Sequence, residues 1–85
     1  MNNSQVSITD AATLVMATNA SRVKILLKNL GSNTTYLGNN NSVTTSTGFP
    51  ILAGETMDCT DMLTDAYCIC VTAALTTVMV IEEAV

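Results

Sequence analysis

The chain has 85 residues, a formal net charge of −4 at pH 7, and 48% hydrophobic but only 4% aromatic residues. This length allows one small domain with an aliphatic core, and such a core is marginal unless oligomerisation or another device supports it. Three basic residues against seven acidic ones are too few for nucleic-acid binding, which depends on neutralising many phosphates. Histidine, the commonest general base, is absent.

Residues 1–20 are predicted to form an N-terminal arm with one or two short strands. Val6–Ile8 is the first candidate strand. Thr13–Thr18 also has the β-branched character of a strand, although Asp10 could instead cap a helix that begins at Ala11. A strand is the preferred interpretation, because every later element is predicted to be β.

The segment Arg22–Lys28 gives the clearest strand signal. Apolar side chains at positions 23, 25 and 27 point one way, and the basic side chains at positions 22, 24 and 28 point the other; this period of two is typical of a half-buried strand. Arg22, Lys24 and Lys28 are therefore predicted to share an exposed face, which either blocks unwanted edge pairing or contacts an acidic partner. A turn and a second strand, Thr34–Leu37, predict an antiparallel hairpin.

The middle of the chain is polar and then becomes extended. Asn39–Gly48 has no charge and only Val43 as an apolar residue, which predicts the longest exposed loop in the chain. Phe49–Pro50 favours an extended backbone after this loop. Glu55–Cys59 alternates polar and apolar residues and predicts a strand, and Asp61–Asp65 predicts a connection or one helical turn.

Two apolar segments, Tyr67–Val71 and Thr76–Ile81, predict a C-terminal hairpin. Both faces of these segments are apolar, whereas a half-exposed antiparallel strand should alternate. The second face must be covered either by another subunit or by the N-terminal segment. Residues 21–85 are thus predicted to form an all-β domain, which is either a small antiparallel β-sandwich or a partly open barrel. A jelly roll is one of the topologies that this prediction allows.

No constellation of residues predicts catalysis, a cofactor or a metal ion. The chain has no Gly-x-Ser-x-Gly elbow, and its three aspartates between positions 58 and 65 lack the spacing of a calcium loop. Without histidine, Cys59, Cys68 and Cys70 are expected to pack as small apolar thiols, and the last two are poorly placed for a mutual disulfide. The uncharged stretch Ala66–Ile81 is too short for a membrane-spanning helix. An enzyme or a membrane protein is not expected.

Four motifs follow one another in a distinctive order. They are Ile25–Leu30, Tyr36–Gly38, Val43–Leu52 and Ala53–Glu55, followed by the predicted C-terminal hairpin. Over about residues 21–83, this order resembles that of small structural proteins in tailed-bacteriophage virions. The resemblance implies a capsid decoration (cement) protein that binds the outer head surface and stabilises the shell, or else a head-fibre base or a tail-associated adaptor.

A host-surface adhesion or carbohydrate-binding module is the alternative from another class, and the scarcity of aromatic residues argues against it. As a virion component, the chain would assemble in the host bacterial cytoplasm and contact the major capsid protein or another virion component. A homo-oligomer is expected, with a trimer favoured, because quasi-threefold positions of a head offer three equivalent contacts. The residues predicted to lie at interfaces are Arg22, Lys24, Lys28, Asn39, Asn40, Asn41, Cys68, Cys70, Val78 and Val80.

Overall fold

The computed structural model describes residues 2–60 and 63–84, and this part of the chain is built of β-strands without any helix. Each strand predicted from the sequence has a counterpart, including the segment after Ala11 for which a helix was the alternative. The predicted connection Asp61–Asp65 lies partly outside the described residues. The strands are β1 (Asn2–Ile8), β2 (Thr13–Met16), β3 (Arg22–Asn29), β4 (Thr35–Gly38), β5 (Phe49–Ile51), β6 (Thr56–Thr60), β7 (Ala66–Ile69) and β8 (Thr76–Ala84).

The strands form two four-stranded antiparallel sheets. Sheet A has the order β1-β8-β3-β6, and sheet B has the order β2-β7-β4-β5. The first strand pairs with the last, the second with the seventh, the third with the sixth and the fourth with the fifth. This is the pattern of one long hairpin wrapped into a two-sheet sandwich, which is the jelly roll. The predicted all-β sandwich is confirmed.

Residues 2–20 belong to this sandwich. β1 pairs with β8 over its whole length, and β2 pairs with β7. The N-terminal segment therefore supplies one edge strand to each sheet, and the sheets show no boundary near residue 20.

The core lies between the two sheets and is aliphatic, as the composition requires. Each fully buried side chain of this kind contributes about 1.5–3 kcal/mol. The buried cluster consists of Ile8, Val15, Ile25, Leu27, Leu37, Ile51, Ala66, Cys68, Cys70, Val78 and Val80.

Both predicted hairpins are wrong. β3 and β4 lie in different sheets, and so do β7 and β8. The inner faces of such consecutive strands pack against each other across the core, and the two strands are not hydrogen-bonded to each other as a hairpin would be. The strand segments were read correctly from local alternation, but their pairing depends on connections that cross from one sheet to the other.

Asn29, at the end of β3, holds one of these crossings. Its side chain is fully buried. Its Nδ2 donates to the carbonyl oxygens of Asn33 (2.7 Å) and Ile51 (3.0 Å). Its Oδ1 accepts from the backbone N–H of Gly31 (3.1 Å) and the hydroxyl of Thr76 (2.6 Å). The buried amide of Asn29 thus provides hydrogen-bond partners for polar groups of the connection by which the chain crosses from sheet A to sheet B.

A β-bulge in β3 corrects the prediction for Arg22. Arg22 lies opposite Ala84 and Lys24 opposite Glu83, so two steps along β3 match one step along β8. The extra residue is Val23, which is 38% exposed, while Arg22 points inward and is 3% exposed. The three basic residues of β3 therefore do not share one face.

Candidate interaction surfaces

The outer side of sheet B is an uncharged surface that we call the sheet B face. Its members are Leu14, Tyr36, Pro50, Tyr67 and Ile69. Cross-strand pairing places Tyr67 opposite Leu14, and it places Tyr36 opposite both Ile69 and Pro50. Leu14 is 44% exposed, Pro50 is exposed, and the other three are half-buried. No strand of sheet B contains a charged residue. Continuous apolar surface of this kind marks interaction sites.

The loop between β4 and β5 folds over one end of the sheet B face. Val43 is only 7% exposed. A Cβ atom added to Gly38 would lie 2.5 Å from the Cβ of Val43, and one added to Gly48 would lie 2.7 Å from the Cβ of Tyr36. The two glycines therefore make room for Val43 to pack against the sheet.

Hydrogen bonds within this loop give it a defined shape. The N–H of Ser42 donates to Oδ1 of Asn40 (2.9 Å), and the N–H of Gly48 donates to the carbonyl oxygen of Thr44 (2.8 Å). The neighbouring residues Asn39 and Asn41 are exposed, as is Asn40. The predicted loop thus presents amide side chains outward from an anchored base, and their contact with a partner stays a prediction.

The outer side of sheet A, which we call the sheet A face, has a narrower apolar strip. Leu26 on β3 lies opposite Ile81 on β8, and Met79 lies opposite Lys28. The three apolar residues are half-buried. Beside Lys28, they line a shallow apolar depression on the surface.

The two lysines of this face, the half-buried Lys24 and the exposed Lys28, have polar partners on their own chain. Nζ of Lys24 lies 3.8 Å from a carboxylate oxygen of Asp58 and 4.0 Å from one of Glu83. Nζ of Lys28 donates to the carbonyl oxygen of Gly54 at 3.2 Å. These contacts favour a solvated face with its own charge balance over a basic patch directed at an acidic partner.

Five residues predicted at interfaces are interior. Cys68, Cys70, Val78 and Val80 are at most 1% exposed, and Arg22 is 3% exposed. This corrects the prediction, because the face assigned to a partner is the one that packs in the core.

The outward neighbours of these core residues are the surface residues. Tyr67 and Ile69 lie on the sheet B face, whereas Met79 and Ile81 lie on the sheet A face. The second apolar face inferred from the sequence is thus divided between the two opposite sides of the sandwich.

Arg22 has a structural role that the sequence did not indicate. Its Nε donates to Oε2 of Glu82 at 2.8 Å. Its Nη1 donates to the carbonyl oxygen of Thr64 at 2.9 Å, and its Nη2 donates to that of Ala17. One guanidinium therefore joins β8 to the β2–β3 and β6–β7 connections.

The three cysteines are free thiols. Burial raises the pKa of Cys68 from its ordinary value of 9.0 to about 12, and burial also raises the pKa of Cys70. The pKa of Cys59 is raised by burial and then by the negative charge of Asp58. The thiolate is the form of cysteine that acts as a nucleophile or binds a metal. Because a raised pKa disfavours the thiolate, these environments suit a packing role.

The carboxylate of Asp65 has a structural partner as well. Oδ1 of Asp65 accepts from the N–H (2.7 Å) and hydroxyl (2.8 Å) of Thr18. Among the residues that the structure describes, no group of three or more Cys, Asp or Glu side chains could hold a metal ion. Nor does this part of the chain include a helix with the length and hydrophobicity of a membrane span.

Comparison with known proteins does not identify a relative. No protein-family model matches the chain, and no curated protein or solved structure is significantly similar to it. A function must therefore be inferred from the jelly-roll fold, the two outer faces and the order of sequence motifs.

Proposed function

We propose that the chain is a structural protein of a tailed-bacteriophage virion, and specifically a capsid decoration protein that binds the outer surface of the head. Two observations support this role. The motif order resembles that of small virion proteins, and the eight-stranded jelly roll is an architecture that occurs in viral capsid domains. Because one fold hosts many functions, the surfaces must carry the rest of the argument.

The sheet B face is the observation that carries the proposal. It extends across all four strands of the sheet without a charged side chain, and it includes two tyrosines. Tyrosine is enriched and charge is depleted at the centre of protein interfaces. The apolar strip of the sheet A face lies on the opposite side of the sandwich. A protein with apolar surface on two opposite sides suits a position between neighbouring subunits.

Binding would stabilise the shell by bridging neighbouring capsid subunits. A protein that binds only the assembled shell shifts the equilibrium toward assembly by mass action, by about 2.7 kcal/mol per site at a free concentration 100 times the Kd. The major capsid protein is the proposed partner. Lys24 and Lys28 are proposed to lie at the rim of the contact made by the sheet A face, and the Asn39–Asn41 segment at the rim of the contact made by the sheet B face, because polar groups are common at interface rims.

Co-sedimentation with phage particles tests the proposal. The particles come from the phage that carries this gene, grown with the gene deleted, and they are separated into heads and tails. The purified chain is expected to pellet with heads. Leu14→Lys, on the sheet B face, should weaken this binding at least about tenfold, because a charge would be buried at the contact.

Leu75→Lys is the matched control. Leu75 is 64% exposed and lies in the β7–β8 connection, away from the sheet B face, so this variant should bind heads like the unmodified chain. Circular dichroism should show both variants folded. Binding to tails alone would support a tail-associated adaptor, and binding to neither particle would contradict a virion role.

A further inference from the structure

Three of the four sheet edges have features that discourage pairing with another chain. β2 is short and has a register shift between Leu14 and Met16. β5 has three residues and contains Pro50, and β6 carries Asp58. Short strands, irregular register, proline and charge are the usual means by which edge strands avoid unwanted partners.

The fourth edge, β1, has none of these features. Asn2–Ile8 is seven residues long, uncharged and free of proline, and it pairs with β8 in unbroken register. Because the opposite side of β1 is a sheet edge, its outward backbone groups form an open template for another strand.

The register shows which backbone groups point outward. The carbonyl oxygen of Thr77 accepts from the N–H of Leu30, on the β3 side of β8. The N–H and C=O of Thr77 therefore point toward β3 and away from β1. Ser7 lies opposite Thr77 in a pair that exchanges no hydrogen bonds, so the N–H and C=O of Ser7 point away from the sheet. The alternation of an antiparallel ladder gives Gln5 and Asn3 the same direction. All three residues are exposed.

We propose that β1 is a self-association edge, on which β1 of a second copy of the chain pairs antiparallel about a two-fold axis. In the central register, Gln5 lies opposite Gln5 of the partner subunit, and Asn3 lies opposite Ser7 of the partner subunit. Every outward N–H and C=O of these three residues then has a partner. The two A sheets join into one continuous sheet.

A second copy fits this edge better than a foreign strand does, because the edge is self-complementary. The outward residues are related by the two-fold axis through Gln5, so each copy offers the pattern that the other requires. With no charge in β1, like charges do not meet across the junction. The opposed Asn3, Gln5 and Ser7 side chains are all able to donate and accept hydrogen bonds.

This inference goes beyond the proposed function, because it holds whether or not the chain binds a phage head. Pairing along β1 produces a dimer, whereas the sequence analysis favoured a trimer. The oligomer mass therefore separates the two arrangements, and the head-binding assay is independent of both.

Light scattering coupled to size-exclusion chromatography tests the pairing. The unmodified chain is expected to be a dimer. Gln5→Pro removes an outward N–H that β8 does not use, and should weaken the dimer at least about tenfold. Gln5→Thr keeps the backbone donor and should remain dimeric. A second disrupting variant, Asn3→Lys combined with Ser7→Lys, places like charges across the junction and should give monomers even if Gln5→Pro folds poorly.

A monomeric unmodified chain would overturn the proposal. So would a trimer, or a dimer that both Gln5→Pro and the double lysine variant leave unchanged while circular dichroism shows them folded.

Discussion

Nε of Arg22 donates a 2.8 Å hydrogen bond to Oε2 of Glu82, and both residues are only 3% exposed. Removing one partner of a buried ion pair leaves an uncompensated charge, which typically costs about 3–5 kcal/mol. Glu82→Gln is therefore expected to lower the free energy of unfolding by about 3–5 kcal/mol at pH 7, measured by urea denaturation.

Glu83→Gln is the matched control for this prediction, since it makes the same change at the next residue. The Glu83 carboxylate is half-exposed and lies 4.0 Å from Nζ of Lys24. Exposed pairs contribute about 0–1 kcal/mol, so this variant should be nearly neutral. Equal effects at the two positions would show that the buried pair contributes no more than the surface pair.

The contact between Gly38 and Val43 anchors the β4–β5 loop. A Cβ at Gly38 would lie 2.5 Å from both Cβ and Cγ2 of Val43, which is too close for either atom to remain in place. Gly38→Ala should destabilise the chain by about 1–3 kcal/mol through overpacking. It should also increase cleavage of the loop by a nonspecific protease, because the loop must lift from the sheet.

A double-mutant cycle identifies the clash as the cause. Val43→Gly removes both clashing atoms, so Gly38→Ala should cost less than about 0.5 kcal/mol in that background. If Gly38→Ala costs the same with and without Val43, the destabilisation comes from the backbone of β4 and the anchoring contact is unimportant.

Two turn residues with positive φ predict changes of opposite sign. Ala73 has φ 66° and Gly54 has φ 78°. The left-handed conformation costs an ordinary L-residue about 1–2 kcal/mol, a cost that glycine avoids. Part of this advantage is lost, because glycine has more conformational freedom in the unfolded chain and so loses more entropy on folding. Ala73→Gly is thus expected to stabilise, and Gly54→Ala to destabilise, by about 0.5–1 kcal/mol each. Thermal unfolding measures both shifts, and a change of the same sign in both variants would contradict this explanation.

The buried thiol of Cys68 predicts a loss of stability in alkali. Its pKa is about 12 in the folded chain, against an ordinary value of 9.0. Between these values the unfolded chain releases the proton and the folded chain retains it, so stability falls as pH rises from 9 toward 12. Cys68→Ser should make the decline between pH 9 and 11 shallower by up to about 1.4 kcal/mol per pH unit. Identical slopes of stability against pH for the unmodified chain and the variant would contradict this prediction.

Local alternation was enough to predict the strands but not how they pair. The period of two in β3 and the apolar segments of β7 and β8 predict extended chain, because side-chain alternation is a property of the strand itself. Pairing depends on whether a connection turns within one sheet or crosses to the other. Asn29, whose buried amide holds such a crossing, looks like an ordinary turn residue in the sequence.

The surface residues were predicted less well for the same reason. The bulge at Val23 reverses the direction of Arg22, and no local signal marks it. Glu82, the partner of Arg22, lies sixty positions away in the chain. For β7 and β8 the two faces were separated correctly, but only the folded sandwich shows which face is the core. The sheet B face could have been found from the absence of charge in four separate strands.

Copy number in the virion tests the proposed function most directly. Particles of the phage that carries this gene are purified, and the chain and the major capsid protein are quantified by mass spectrometry with labelled peptide standards. A decoration protein predicts hundreds of copies per particle, in a fixed ratio to the major capsid protein. Absence of the chain from purified, infectious particles would contradict the account.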